Sequence, residues 1–343
     1  MCLVKRMMAS AVVSFWIYGG SVTGQLGTSA SRLGLMRLGT ASDSVVVTPP
    51  ATQESLLRND VVTLCWPNRI GSSVLSGGAW QPTLPLENIA NKVFAKKARS
   101  LNVDESSTQF RISLDKGRPV AVVSLAAHNL SQDAEVRVVA YANVEGVGMV
   151  YDSGFLPAWP ASYLPETLEW EDNNFWFGDA DLDVDSEYTP LTTVFFGDIY
   201  NAEAVDVFIR DLSNVDGYVD IGRCFISGAW QPETNMSYGL EYGHIIGTTV
   251  EEANDGTEYF DRKRAKRTVS LSLDWLTQSE AFSRIYAMQR DQGIDREILF
   301  AHELNASDES FYRTFIGRLQ QPDPIANPYY ATHTNRINIQ EII

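Results

Sequence analysis

The residues best suited to binding chemistry lie in one acidic and aromatic stretch, residues 155–190. Nine acidic residues lie between Glu166 and Glu187, with no Lys or Arg among them. Aromatic rings beside acids suit a sugar cleft, because a ring packs on the apolar face of a sugar while carboxylates accept hydrogen bonds from its hydroxyls. We therefore take the three tryptophans of the stretch as candidate glycan-binding residues: Trp159, Trp170 and Trp176.

The same stretch offers carboxylates that could do catalysis, notably Glu169, Glu171 and Asp172 beside Trp170. Glycoside hydrolysis uses two carboxyl groups at a defined separation, which the fold decides and a sequence does not. The chain contains no G-x-S-x-G elbow, no Walker loop and no Rossmann fingerprint. We predict no catalytic residue and a protein that is not an enzyme.

Carboxylates also alternate along "DADLDVDSE", at Asp179, Asp181, Asp183 and Asp185. Calcium prefers clustered oxygen ligands, so it is the one cofactor that this pattern suggests. An EF-hand loop beginning at Asp179 would need Gly and Glu where the chain has Val and Pro, which excludes that motif. A solvated or partner-facing acidic edge is the alternative interpretation.

His128 and Asn129 directly follow an apolar run. One interpretation places them on the polar lip of a ligand pocket; the other has them hydrogen-bonded to nearby backbone. The four histidines show no metal-ligand spacing. Cys2, Cys65 and Cys224 form no C-x-x-C pair, so the sequence suggests neither a zinc site nor a disulfide framework.

The overall charge limits the class of partner. The chain of 343 residues has a formal net charge of −16, which argues against nucleic acid and against an anionic membrane surface. Its strongest basic run is "RKRAKR" at 262–267, for which we predict a contact between subunits. The predicted contact residues are Arg262, Lys263, Arg264, Lys266 and Arg267, facing acidic residues such as Glu169, Glu171 and Asp172 of a neighbour.

The element that must position these groups is a run of four short strands between 110 and 154. β-Branched runs separated by turn residues are typical of an all-β sandwich or barrel. The apolar run 120–127 is too continuous for a strand with one solvated face, so we expect it to be covered on both sides.

The stretch "SLDKGRPVAVVSLAAHNLSQDAEVRV…VYDSG" resembles a galactose-binding-like (discoidin-type) jelly roll of the variety found in structural proteins of tailed bacteriophages. The run "GYVDIGRCFI" resembles the closing strand of the same domains. The resemblance covers about residues 75–230 and implies a jelly-roll sandwich in a virion setting. It does not by itself imply sugar binding, because one fold hosts many functions.

The C-terminal part carries clear local signals. In "RTVSLSLDWL", Val269, Leu271, Leu273 and Trp275 alternate and should share one face. Thr277 and Glu280 form a capping box that predicts a helix over 278–292, ended by Gly293.

We therefore predict a mainly β chain in three parts: an extended N-terminal arm at 1–60, a jelly-roll β-sandwich at 61–230 with the insertion 155–190, and a smaller β-rich domain with one helix at 231–343. Residues 1–20 resemble a signal peptide, and an arm packed on the body or on a neighbour is the interpretation we favour. The apolar part of residues 1–20 is too short to span a bilayer.

The predicted function is structural: a tail-tip or baseplate component of a tailed-phage virion. It would assemble with copies of itself and other tail proteins, with a further contact to host-surface glycan. The alternative is a secreted carbohydrate-binding protein or an accessory module of a glycan-active enzyme.

Overall fold

The computed structural model describes residues 57–159, 188–304 and 310–343, together with two short N-terminal strands. These two, β1 (Phe15–Ile17) and β2 (Gly20–Val22), pair antiparallel with each other. Residues Ser55–Ile343 form one compact unit. Within the described residues, no helix combines the length and the apolar content of a transmembrane span.

The elements of the compact unit are mainly strands, as β-branched and aromatic content favours. In chain order the strands are β3 (Thr63–Cys65), β4 (Val74–Ser76), β5 (Ala98–Arg99), β6 (Phe110–Ala126), β7 (Glu135–Tyr141), β8 (Met149–Asp152), β9 (Leu156–Pro157), β10 (Leu191–Arg210), β11 (Asp220–Ile221), β12 (Arg223–Ser227), β13 (Ala229–Trp230), β14 (Glu241–Ile245), β15 (Thr249–Glu252), β16 (Glu258–Asp261), β17 (Lys266–Leu276), β18 (Ile298–Ala301), β19 (Thr314–Leu319), β20 (Ala326–Tyr329) and β21 (Thr332–Glu341). The helical segments are Ile70–Ser72, Leu86–Ala90, Glu105–Thr108, Ser310–Arg313, and a π-helix Glu280–Tyr286 that continues as an α-helix, Ala287–Gln292.

The first large sheet has the strand order β12-β6-β10-β7-β8, with β4 added to β6 and β9 added to β7. Its two long strands, β6 and β10, pair along both halves, and their register shifts between Phe195 and Tyr200. One core cluster takes residues from both halves of β6, such as Ile112 and Val123. The sheet thus folds around its own core, and the predicted fold class is confirmed: a mainly β chain with a β-sandwich followed by a smaller β-rich part with a helix.

The second sheet has the order β13-β3-β18-β19-β21-β17-β14, with β20 on β21. β3 lies within 61–230, the range predicted for the sandwich, but it pairs with β18 and β13 in this second sheet. Its hydrogen-bond partners lie far along the chain, so local pattern could not assign it to a sheet. The division of the chain at residue 230 stays a prediction.

A third cluster joins the two sheets. Val122 and Phe225 of the sandwich pack with Cys65, Leu299 and Ile316 of the second sheet. The opposite face of the same β6 segment belongs to the sandwich core. The expectation that 120–127 is covered on both sides is therefore confirmed by the burial of β6 from 120 to 126.

The capping box at the helix is confirmed in detail. The Thr277 hydroxyl donates to the Glu280 carboxylate at 2.9 Å, and the Glu280 amide donates to Thr277 Oγ1 at 3.3 Å. Gly293, with φ +52°, follows the last helical residue, in the left-handed region that favours glycine.

The alternation predicted for β17 holds only as far as Leu273. Val269, Leu271 and Leu273 are buried, but Trp275 is 58% exposed. The pairing of β17 with β21 shifts in register between Leu273 and Leu276, which turns Leu276 into the core in place of Trp275.

Candidate ligand-binding groove

A groove of about 370 Å³ lies where the sandwich meets the second sheet. One wall comes from β9 and the residues after it, and the floor from the first residues of β10. The opposite wall comes from the segments on either side of 305–309, at Glu303 and Phe311. Its volume falls in the range usual for small-molecule sites, roughly 300–1,000 Å³.

Three aromatic side chains line this groove: Trp159, Phe195 and Phe311. The Trp159 indole is half-buried, and its Nε1–H donates to the Leu130 carbonyl at 3.0 Å. Its ring centroid lies 5.9 Å from that of Phe311. These contacts hold the indole in one orientation, so it can present a fixed surface to a ligand.

Polar groups stand beside the rings. Glu303 has a side chain 25% exposed, at 3.7 Å from Arg313. Thr193 contributes a hydroxyl that pairs with Ser124 at 2.9 Å. An apolar wall with a few convergent polar groups is the usual composition of a small-molecule site.

His128 lies behind the groove wall and not on a pocket lip, which corrects its assignment as a ligand residue. It is 4% exposed, and its ring stands edge-on to Trp159 at 5.3 Å. Nδ1 accepts from the Leu130 amide at 3.3 Å. Thr192 donates its one hydroxyl proton to the Ala158 carbonyl at 2.7 Å, so the 2.9 Å contact to His128 Nε2 requires an Nε2–H donor.

This arrangement holds His128 as the neutral Nε2–H tautomer with both ring nitrogens satisfied. Burial, with a smaller contribution from Lys97, lowers the pKa of His128 to about 3. Protonating Nδ1 would also remove the acceptor that the Leu130 amide uses. The imidazole is a packing and hydrogen-bonding group of the wall.

Asn129 is likewise occupied within the fold. Its side-chain nitrogen donates to Asp216 at 2.8 Å and to the Tyr218 carbonyl at 3.1 Å, while its oxygen accepts from the Asp220 amide at 2.7 Å. Asn129 therefore joins the loop after β6 to the loop before β11 and does not line the groove.

The residues of the basic run 262–267 differ in how far they are buried. Arg262, Lys263 and Arg264 are exposed and Lys266 is half-buried. Arg267 is 5% exposed, and its guanidinium pairs with Glu341. Arg267 is the first inward-facing residue of β17, so its assignment as a subunit contact is wrong.

The remaining predicted residues lie outside the described residues, within 160–187. Among the described residues, no group of three or more His, Cys, Asp or Glu side chains could hold a metal ion. The calcium interpretation stays a prediction. The residues that lie outside the described part are Trp170, Trp176, Glu169, Glu171, Asp172, Asp179, Asp181, Asp183 and Asp185.

No sequence pattern pointed to Phe195, Phe311 or Glu303. Phe195 stands in the run "TTVFFGD", and Glu303 and Phe311 lie in the connection between β18 and β19. No local signal links these residues, because β10 and the 303–314 segment meet only through the packing of one sheet on the other.

Comparison with known proteins gives no family model and no curated protein that matches the chain. The lectin binding domain of Lectinolysin complexed with Lewis b is similar at 12% identity and a TM-score of 0.32, over 48% of this chain and 96% of that chain. A Streptococcus pneumoniae fucose binding module is similar at 10% identity and a TM-score of 0.30, over 47% and 94%. The family 32 CBM from C. perfringens NanJ in complex with galactose is similar at 14% identity and a TM-score of 0.30, over 49% and 99%.

Proposed function

We propose that the chain is a glycan-binding protein and that the groove beside Trp159 is its sugar site. The observation that supports this is the aromatic wall of Trp159, Phe195 and Phe311 in a cavity of about 370 Å³ with Glu303 at its edge. A sugar ring has apolar C–H faces and a rim of hydroxyls. Aromatic rings match the faces, and a carboxylate accepts from two neighbouring hydroxyls.

The lining of the groove fits the binding of a sugar better than its hydrolysis. In the part of the groove that the structure describes, Glu303 is the only carboxylate. A glycosidase uses one carboxyl group as acid and a second, about 5–9.5 Å away, as nucleophile or base. That the chain catalyses no reaction stays a prediction.

Screening the full chain on a glycan array, followed by calorimetry with the best glycan, tests this function. Glu303→Gln keeps the shape of the side chain but halves its acceptor capacity, and Phe195→Leu removes a ring. Each should weaken the affinity roughly tenfold, since a hydrogen bond to a charged group contributes about 1.5–3 kcal/mol and an aromatic contact about 0.5–1.5 kcal/mol.

Phe282→Leu is the matched control, because Phe282 is 48% exposed on the helix 280–292 and lies outside the groove. It should bind like the unaltered chain. If no glycan binds, or if neither groove substitution changes the affinity of the glycan that does, the proposed site is contradicted.

A second candidate function, assembly with other chains, is favoured by the hairpin of β15 and β16. The two strands pair with each other and with no other described strand. All their residues are exposed, including Val250 at 54% and Phe260 at 63%. An isolated two-stranded hairpin is marginal in water, and exposed apolar strand edges recruit further chains. The virion setting and a place in a phage tail stay predictions.

Mass photometry of the purified chain tests assembly. We expect oligomers that the double substitution Val250→Thr with Phe260→Thr converts toward monomer, because Thr keeps β-propensity while it removes the apolar surface. Tyr330→Thr is the control, since Tyr330 is 99% exposed elsewhere on the surface. A monomeric unaltered chain, or an unchanged distribution in the double variant, would rule out the hairpin as an interface.

A further inference from the structure

A second cavity, of about 460 Å³, lies between the segment 67–72 and the end of the helix 280–292. Four cationic residues line it, and one acidic residue does. The cations are Arg69, Lys92, Arg223 and Arg296, and the acid is Glu297. Such a lining stands out in a chain whose net charge is −16.

Only part of this positive charge is compensated. Arg223 and Glu297 form a buried ion pair at 2.7 Å, and Glu297 also accepts from Asn68 at 2.8 Å. Lys92 lies 3.8 Å from Asp295 at the surface. Among the described residues, no ion pair compensates Arg69 or Arg296.

Gln292 supplies a second, independent observation. It is the last residue of the helix, 1% exposed, and it lines the same cavity. Neither its Nε2 nor its Oε1 has a hydrogen-bond partner in the described part of the protein. Buried side-chain amides nearly always have partners, so an unpaired donor and an unpaired acceptor at one cavity indicate a missing ligand.

The chemistry of these groups selects the ligand. Two uncompensated guanidinium groups match an oxyanion, to which arginine donates in pairs. The amide needs an acceptor for Nε2 and a donor for Oε1. A phosphate group that keeps one O–H provides both, whereas sulfate provides acceptors alone.

We propose that this cavity is a phosphate-binding site, in which Arg69 and Arg296 neutralise the anion and Gln292 hydrogen-bonds its oxygen and hydroxyl. The ligand is inorganic phosphate or a phosphomonoester with a free O–H. This site is separate from the glycan groove and does not depend on the function proposed for it.

Calorimetry on the full chain at about pH 5.5 and low ionic strength tests the site, with inorganic phosphate, glucose 6-phosphate and sulfate as probes. The second pKa of a phosphomonoester is about 6, so both phosphate probes keep an O–H at that pH, and low salt avoids screening the exposed guanidinium. We expect saturable binding of one of the two phosphate probes, tighter than that of sulfate. Binding of glucose 6-phosphate and not of inorganic phosphate would identify the ester as the ligand. Arg296→Gln should weaken that binding by about tenfold or more, the usual cost of losing one charge-assisted hydrogen bond.

Arg290→Gln is the matched control, since Arg290 is on the same helix, pairs with Asp291 and has a side chain 72% exposed. It should bind as tightly as the unaltered chain. Gln292→Leu should abolish the preference for phosphate over sulfate. The site is refuted if neither phosphate probe saturates the unaltered chain, if Arg296→Gln binds like Arg290→Gln, or if Gln292→Leu keeps the preference.

Discussion

Replacing Arg267 with Met is expected to destabilise the protein by about 3–5 kcal/mol, the usual cost of removing one partner of a buried ion pair. The substitution would leave the Glu341 carboxylate, 3% exposed, without its guanidinium. It would also remove the hydrogen bond from Arg267 Nη1 to the Phe311 carbonyl at 2.7 Å. Urea denaturation should show the loss as a lower midpoint.

Arg264→Met is the matched control, because Arg264 belongs to the same basic run and is exposed. We expect it to change the free energy of unfolding by no more than about 0.5 kcal/mol. Adding Glu341→Leu to Arg267→Met should recover part of the loss, since the stranded carboxylate is then gone. Equal effects of Arg267→Met and Arg264→Met would mean that the pair contributes nothing to the fold.

Lowering the pH is expected to destabilise the protein through His128. The folded-state pKa lies at about 3, below the ordinary value of 6.5, so the unfolded chain binds this proton first as the pH falls. The stability that neutral His128 contributes is complete above pH 6.5 and is lost progressively as the pH falls toward 3. The slope is about 1.4 kcal/mol per pH unit within that window.

His128→Asn isolates this contribution from the carboxylates that titrate in the same range. Asn can accept from the Leu130 amide, and it does not titrate. We expect the variant to be less stable than the unaltered chain at pH 8 by a fixed amount. The difference should shrink and then reverse as the pH falls, in urea denaturation series at matched salt. Parallel pH profiles down to about pH 4 would contradict a buried neutral imidazole.

Both predictions concern residues that sequence patterns assigned to binding surfaces. Arg267 sits three residues after Arg264, and the two have the same side chain. They differ because Arg267 lies in β17, where it faces inward like Val269, whereas residues 262–265 lie outside the strand. A basic run gives no indication of where such a strand begins.

The elements themselves were largely predictable. The Thr277–Glu280 capping box depends on residues three positions apart, and the double covering of β6 follows from an apolar run longer than one face can use. The face that this helix buries was less predictable. Ala281, Ile285 and Met288 are buried, and the larger Phe282 is exposed.

Sequence alone thus determined the β-rich class, the helix and its ends, and the strands that a period of two reveals, because these depend on interactions between residues close in the chain. Tertiary structure decided which sheet β3 joins, that Glu341 pairs with Arg267, and that Phe195 and Phe311 line one groove with Glu303. These are contacts between distant segments. Their partners are set by how one sheet packs on another, which no local pattern specifies.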